Sequence, residues 1–290
     1  MPIDAAKLKN WPFEPITQRY TERDTMLYAL GVGIGHDPMD TEALRYVYED
    51  RLQALPTLAV VLGYPGFWAK DPATGIDWVR VLHGEQSLEL HAPLPAAGTV
   101  VGRTRVTALV DKGAAKGALM ISERDIVDAA SQQLLATARS VSFLRGDGGF
   151  SERGQVSDAA PPPRQATPDT APDHVCELTT RPESALIYRL SGDYNPVHAD
   201  PGVARSAGFQ RPILHGLCSF GVTGHALLRT LCAWDASRLR EIGCRFSAPV
   251  YPGETLRVEM WQRGEQVQFR TKAVERDIVV LSHGSAHIAR

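Results

Sequence analysis

The segment LCSFGVTGHALLRTL, residues 217–231, precedes LRVEMWQRGEQVQFRTKA, residues 256–273, in the last third of the chain. In the first segment apolar residues recur at helical spacing, and the glycines suit close packing on a sheet. In the second segment apolar and polar residues alternate on both sides of Arg263-Gly264, which predicts two strands joined by a hairpin. A helix packed on antiparallel strands predicts an α+β fold.

Similar strand patterns occupy the first half of the chain. Apolar and polar residues alternate over 100–110 and 118–127, and Asp111-Lys112-Gly113 suits a hairpin turn between them. Upstream, we expect a helix that starts near Asp24 and ends in the run GVGIG, residues 31–35. That run lacks the glycine spacing and the preceding strand of a dinucleotide-binding loop, so we assign no nucleotide to it.

The two halves resemble one another. An Ala-Pro pair followed by a glycine occurs at 92–98 and again at 248–253, and Tyr28 and Tyr188 begin similar tetrapeptides. The sequence ERDIV occurs at 123–127 and at 275–279, and we interpret both copies as a charged turn that enters an apolar strand. These repeats predict a duplication in which each half has one long helix with several mostly antiparallel strands behind it.

A change in composition separates the halves. From Gly146 to about Val175 the chain is rich in Gly, Pro, Ser, Thr and Asp, with three consecutive prolines at 161–163. Such a composition is typical of an extended linker. We therefore predict a first domain over residues 1–150, a linker over 151–175 and a second domain over 176–290.

Composition excludes several classes of function. The 290 residues carry a formal charge of -2 without a dense Lys/Arg tract, which gives no electrostatic footprint for nucleic acid or an anionic membrane surface. The four cysteines lack zinc spacing and are expected to be buried, reduced thiols. No leader pattern, apolar span or Ser-Lys-Leu address at the C-terminus is evident, so we expect a cytoplasmic protein.

The segment SGDYNPVH, residues 191–198, holds an acid/base pair. Asn195 and Pro196 keep the intervening residues from being helical, so the side chains of Asp193 and His198 can turn toward one point. A carboxylate beside an imidazole can move protons at neutral pH and could activate a water. Taken as isolated residues, Asp193 would more simply be an Asx-turn residue and His198 a loop histidine bonded to backbone.

The following segment LHG, residues 214–216, supplies a helix start. The backbone amide of Gly216 is expected to point freely at a developing negative charge, with the helix dipole behind it. We interpret His215 as a helix cap. No metal is predicted, because Asp193, Asn195 and His198 lack a further strong ligand at metal-binding spacing.

Together these residues resemble the hydratase 2 family, the (R)-specific enoyl-CoA hydratases related to MaoC dehydratases. The family signature, roughly Y-x-L-S-G-D-x-N-P-x-H, is matched over residues 188–198. Further matches lie in PILHG at 212–216, VLHGEQ at 81–86 and PVYPG at 249–253. The resemblance covers nearly the whole chain and implies a double hot-dog fold, in which two repeats each wrap an antiparallel sheet around a long helix.

The resemblance also implies the roles of individual residues. Asp193 and His198 would form the catalytic dyad, and the Gly216 amide would contact the thioester oxygen. Substrate or CoA contacts would come from His83, Gly84, Lys112, Tyr194, Asn195, Pro196, Val197 and Phe246. Glu49 matches a protic position near the family's site, although a surface glutamate is the simpler interpretation, as a solvated turn lysine is for Lys112. No cofactor is implied, since CoA is part of the substrate.

The first half is expected to have lost the chemistry, because Gly33 aligns with Asp193 and Pro38 with His198. It would then form the walls of a pocket for a medium, long or bulky acyl chain. The expected protein is a stand-alone hydratase acting on small-molecule acyl-CoA, alone or as a homodimer. A hot-dog thioesterase and a noncatalytic acyl-CoA binding module are the alternatives. A free-thiol assay would identify the first, and binding without turnover would identify the second.

Overall fold

A computed structural model describes residues 3–290, so Met1 and Pro2, where the search for a leader began, lie outside the described residues. Short 3-10 segments supplement the helices, and between Leu144 and His174 the only regular structure in the described chain is one of these, Ser151–Arg153. The helices are α1 Ala5–Lys9, α2 Glu22–Gly31, α3 Ser184–Tyr188, α4 Pro201–Ser206 and α5 Gly216–Leu231. Within residues 3–290 no helix is both long and apolar enough to cross a bilayer.

The strands form one sheet. Its members are β1 Ile16–Tyr20, β2 Val81–Leu90, β3 Gly98–Asp111, β4 Ala118–Asp128, β5 Leu134–Leu144, β6 His174–Thr179, β7 Leu239–Phe246, β8 Thr255–Arg263, β9 Gln266–Ala273 and β10 Ile278–Ile288. They lie in the order β1-β3-β4-β5-β2-β7-β10-β9-β8-β6. All described pairs are antiparallel. The strands and hairpins predicted from alternation are confirmed.

Two equivalent halves share this sheet. The order β1-β3-β4-β5-β2 of the first half is repeated in mirror order by β7-β10-β9-β8-β6, and pairing of β2 with β7 joins them. A large buried cluster from both halves fills the concave side of the sheet around α5. The predicted α+β double hot-dog is confirmed.

The halves differ in their central helix. Helix α5 of the second half is long and almost wholly buried. At the corresponding place before β2, the first half has only the buried 3-10 segment Pro56–Val61, so the expectation of a long helix in each half is wrong for the first. Val60 and Val61 are poor helix formers, and Gly63 and Pro65 follow at once, which stops the segment after two turns.

The repeated ERDIV sequence does not mark equivalent places. Residues 275–279 form the predicted charged turn and the start of β10, but residues 123–127 lie inside β4, whose partner in the second half is β9. Our interpretation of the first copy as a turn is therefore wrong. Alternation explains its composition, because Glu123 and Asp125 both pair with Arg105 on one face of the sheet while Arg124 points to the other.

The segment expected to be a linker crosses the junction of the halves. Arg164 binds Glu85 at 3.0 Å and also approaches Ser87 and Ser285, while Arg245 of β7 binds the same carboxylate at 2.8 Å. One half-buried acidic side chain, that of Glu85, thus joins both halves and the connecting segment. The domain boundaries at 150 and 175 stay a prediction.

Candidate active site

The loop that carries the predicted dyad is shaped by two successive Asx turns. Asp193 Oδ1 accepts a hydrogen bond from the Asn195 amide at 3.1 Å, and Asn195 Oδ1 accepts one from the Val197 amide at 3.2 Å. Gly192 has φ +121°, and Pro196 begins the short 3-10 turn that ends at His198. Asp193 therefore does serve the turn, as the simpler interpretation expected, while its carboxylate stays exposed to solvent.

His198 is held as a proton acceptor. The residue is buried, and its Nδ1 lies 2.8 Å from the Ile213 carbonyl oxygen, which can only accept. Nδ1 must therefore carry the hydrogen of the neutral ring, leaving the Nε2 lone pair free. Burial lowers the pKa of His198 below its ordinary value, and the charge of Asp193 partly offsets that effect. The ring is consequently neutral at pH 7.

His215 is a member of the site that the sequence interpretation missed. Its backbone does occupy the N-cap position of α5, but its side chain makes no capping hydrogen bond. Instead Nε2 donates to the Asp193 carbonyl oxygen at 3.1 Å, and the ring stacks on His198 with centroids 3.7 Å apart and planes 26° apart. Burial, followed by the neighbouring His198, lowers the pKa of His215 to about 4. The sequence did hold a signal for this role, because His215 directly precedes Gly216, whose amide was assigned to the thioester oxygen.

These three side chains also need to be considered as metal ligands. One ligand atom each of Asp193, His198 and His215 lies within 4.8 Å of the others. However, the stacked imidazoles hold their in-plane lone pairs in two nearly parallel planes, and a carbonyl already holds one nitrogen of each ring. The arrangement suits proton transfer better than coordination of one ion. That no metal is required stays a prediction.

The start of α5 provides the donor for a negative charge. In the described chain the first helical hydrogen bonds to His215 come from Cys218 and Ser219, and the Gly216 amide has no partner. A Cβ on Gly216 would lie 3.2 Å from the Phe246 ring, tighter than ordinary packing. Glycine thus keeps the backbone approachable beside an aromatic wall.

The first half contributes the opposite wall. His83 and Gly84 lie at a β-bulge in β2, and the His83 ring packs on Phe246 with centroids 4.7 Å apart. Desolvation by surrounding protein lowers the pKa of His83 to about 4, although solvent still reaches the residue, as in an open cleft. The charge of Asp193 acts on both His83 and Tyr64. The site therefore lies between the two halves.

A cationic pocket lies at the adjoining ends of β2 and β5. Its volume is about 530 Å³. It is lined by Arg80, Lys112, Ala115, Lys116, Leu119, Phe143 and Arg145. Phe143 pairs with Leu82, one residue from the pairing of His83 with Ser142, so the pocket lies next to His83 along the strands but on the other face of the sheet. Lys112 lies in this pocket with three other cations rather than alone on a solvated turn.

The remaining predicted site residues are less closely tied to the dyad. Glu49 is exposed, and none of the described hydrogen bonds or ion pairs involves it. Tyr194 is also exposed, with the Arg189 guanidinium 4.8 Å from its ring centroid. Pro196 and Val197 shape the loop, and the Val197 carbonyl accepts from Ile213 at 3.4 Å. Their contacts with ligand stay predictions.

Family models match both halves of the chain. The MFE-2 hydratase 2 N-terminal domain matches residues 18–146, and the MaoC like domain matches residues 163–283. The first match ends before the segment that we expected to be a linker, and the second begins within that segment. They agree with the motifs quoted from each half.

Curated relatives and a solved structure match nearly the full length. The peroxisomal enoyl-CoA hydratase 2 of Arabidopsis thaliana is 41% identical, with 91% of this chain and 88% of the relative covered. The 3-hydroxyacyl-thioester dehydratase Y of Mycobacterium tuberculosis is 42% identical, with 91% and 90% covered. The crystal structure of a MaoC-like dehydratase from Phytophthora capsici has a TM-score of 0.86 and 37% identity, with 98% of each chain covered.

The name of the plant relative gives no support to the cytoplasmic location expected for this chain, which stays a prediction. Membership of the family is shown, because both halves match its models and the relatives match over most of their length. The chain belongs to the enoyl-CoA hydratase 2 family of MaoC-like hydro-lyases.

Proposed function

We propose that this protein is an (R)-specific 2-enoyl-CoA hydratase, which reversibly adds water to trans-2-enoyl-CoA and forms (3R)-3-hydroxyacyl-CoA. The observation that carries the proposal is the neutral, singly bonded His198 beside the Asp193 carboxylate, next to an amide at the start of α5 without a partner. The printed names of the relatives, enoyl-CoA hydratase and hydroxyacyl-thioester dehydratase, describe the two directions of such a reaction.

The geometry supports a mechanism with three parts. The His198 Nε2 lone pair and the Asp193 carboxylate together hold a water as hydrogen-bond acceptors. The dyad takes one proton from the water as the water oxygen bonds to C3, and the dyad then returns a proton to C2, so that the elements of water are added across the double bond and the dyad ends in its starting state. The Gly216 amide and the dipole of α5 stabilise the negative charge on the thioester oxygen.

His215 supports the dyad from behind. Its Nε2–H fixes the backbone of Asp193, and its ring packs against the face of His198. His215 thus holds Asp193 and His198 in place relative to each other, while the His198 Nε2 lone pair and the Asp193 carboxylate both stay free to accept a hydrogen bond. We regard His215 as a positioning residue and not as a proton donor, since burial keeps its ring neutral.

The cationic pocket is the proposed site for the phosphates of CoA. Arg80, Lys112, Lys116 and Arg145 supply positive charge in a chain that is slightly acidic as a whole. The pocket lies next to His83 along β2 but on the other face of the sheet, so a CoA ester bound there would pass its pantetheine arm around the ends of β2 and β5 and along Phe246 toward Gly216. The first half, which lacks the dyad residues, would accommodate medium, long or bulky acyl chains.

The first experiment measures loss of enoyl-thioester absorbance with trans-2-decenoyl-CoA, followed by chiral analysis of the product. We expect rapid loss with (3R)-product and no free thiol. Asp193→Asn and His198→Ala should lower kcat by about 10²- to 10⁴-fold and leave the affinity for CoA ester within a few fold. The control His174→Ala removes an exposed histidine on the edge strand β6 and should retain the full rate.

Other outcomes point to the alternatives. Release of free CoA would indicate a thioesterase, and tight binding without turnover would indicate a binding module. Near-normal rates in both dyad variants would contradict the assignment of Asp193 and His198 even if hydration itself is observed.

A further inference from the structure

The pairing of strands sets an order of groups along the length of the strands in the first half. The cationic pocket adjoins the row that joins Leu82 to Phe143, and His83 lies in the next row with Ser142. Further in the same direction, Leu88 pairs with Ala138, and Ala138 pairs with Arg124. Four residues of β5 separate the rows of Ser142 and Ala138, a distance of about 13 Å at the usual rise of a strand. Arg124 therefore lies beyond the catalytic centre on the side away from the pocket.

Arg124 is an unusual residue for this place. It is only 9% exposed, and no carboxylate in residues 3–290 pairs with its guanidinium. Its Nη2 donates to the Val60 carbonyl oxygen at 2.6 Å, while its Nε is buried without a partner. A buried cation without an anion is costly, so the groups that do contact it are held strongly.

Tyr64 is the aromatic residue that contacts this cation. The Arg124 guanidinium carbon lies 5.3 Å from the Tyr64 ring centroid, within cation–π range. The preceding Gly63 is anchored. It packs so closely on the Gly102 backbone that an added Cβ would lie only 2.7 Å from it, and its amide donates a hydrogen bond to Gln18 Oε1 at 2.6 Å. Arg124 thus holds Tyr64 through two contacts: directly at the ring, and through the carbonyl of Val60, four residues earlier in the chain.

Tyr64 also lies within electrostatic range of the catalytic centre. Solvent reaches 45% of Tyr64, as expected of a cleft wall, and the charge of Asp193 acts on its hydroxyl. An acyl chain whose thioester contacts Gly216, and whose CoA lies in the cationic pocket, would extend past the dyad toward this ring. Tyr64 is the first-half side chain placed to meet it there.

We propose that Tyr64, held by the buried Arg124, bounds the acyl end of the pocket and limits the length and bulk of the acyl group. This inference rests on the proposed hydratase function, because it assumes that the thioester lies beside Gly216. Tyr64 is a specificity-determining residue in this scheme and takes no part in proton transfer.

The test compares kcat/KM for trans-2-hexadecenoyl-CoA with that for trans-2-hexenoyl-CoA in size variants of Tyr64. Each methylene that gains an apolar contact contributes about fourfold, so room for two should raise the ratio roughly fifteenfold in Tyr64→Leu. Leucine is smaller but still shields Arg124. Tyr64→Trp should lower the ratio by a similar factor, and Tyr64→Phe, which keeps the ring, should leave it within twofold.

Phe67→Leu is the matched control, since Phe67 is a similarly exposed aromatic in the same loop but packs on Trp78. Its ratio should equal that of the unmodified protein. If the unmodified protein hydrates both substrates and the leucine and tryptophan variants leave the ratio within twofold, the role of Tyr64 is refuted. If the unmodified protein hydrates neither, the proposed function itself fails. Thermal melting of each variant checks that it is folded.

Discussion

Replacing Asp193 by asparagine should lower the pKa of His198. The substitution removes one negative charge but keeps an oxygen that can accept from the Asn195 amide, so the Asx turn survives. In the unmodified protein the pKa of His198 already lies below its ordinary value because of burial, and Asp193 acts in the opposite direction. Without that charge, only the lowering effect and the Ile213 hydrogen bond remain.

The separation of the groups sets the expected magnitude. A carboxylate oxygen of Asp193 and a ring nitrogen of His198 lie within 4.8 Å. Two unit charges at that distance interact by about 0.9 kcal/mol at a dielectric constant of about 80, which corresponds to about 0.6 in pKa. A water-like constant is appropriate because Asp193 is exposed. We therefore expect the pKa of His198 to fall by about 0.6 to 1 in Asp193→Asn.

The assay is an NMR titration of the imidazole C2–H signal, assigned by its absence in His198→Gln, so it does not depend on activity. Asp200→Asn is the control, because asparagine caps α4 as well as aspartate does and Asp200, unlike Asp193, is not among the charges that shift the pKa of His198. In the unmodified protein kcat/KM should fall as the pH drops through the same pKa, since protonation fills the Nε2 lone pair. An unchanged or raised pKa in Asp193→Asn would refute the electrostatic coupling of the dyad.

Three further variants test other parts of the structure. Gly102→Ala places a methyl group 2.1 Å from the Gly63 carbonyl oxygen and should lower the free energy of unfolding by about 3 kcal/mol in denaturant titration, whereas Gly98→Ala in the same strand meets only ordinary contacts and should cost under about 1 kcal/mol. Lys112→Ala should raise KM for CoA esters with little change in kcat, and should not affect thioesters of N-acetylcysteamine, which lack the phosphates; equal effects on both would remove Lys112 from phosphate binding. His215→Phe keeps a stacked ring but loses a hydrogen bond of about 1 kcal/mol, so kcat should fall about fivefold with KM unchanged, and His215→Gln should recover part of it.

Local patterns in the sequence determined the elements and the residues that carry the chemistry. Alternation gave the meander strands, and helical spacing behind LHG gave α5, because both patterns reflect contacts of neighbouring residues with one buried face. The resemblance of residues 188–198 to a family signature identified Asp193 and His198. The ERDIV repeat failed as a marker because five residues with alternating charge fit a strand as well as a turn.

Only the tertiary structure decided how the two halves meet around the site. It turned His215 from a cap toward Asp193 and His198, placed His83 against Phe246, and shortened the central helix of the first half to a 3-10 segment. It also brought Arg124 beneath Tyr64 across sixty residues of sequence. Such contacts depend on the pairing of distant strands, and that pairing is fixed by burial of the whole core rather than by the residues adjacent to any one of these side chains.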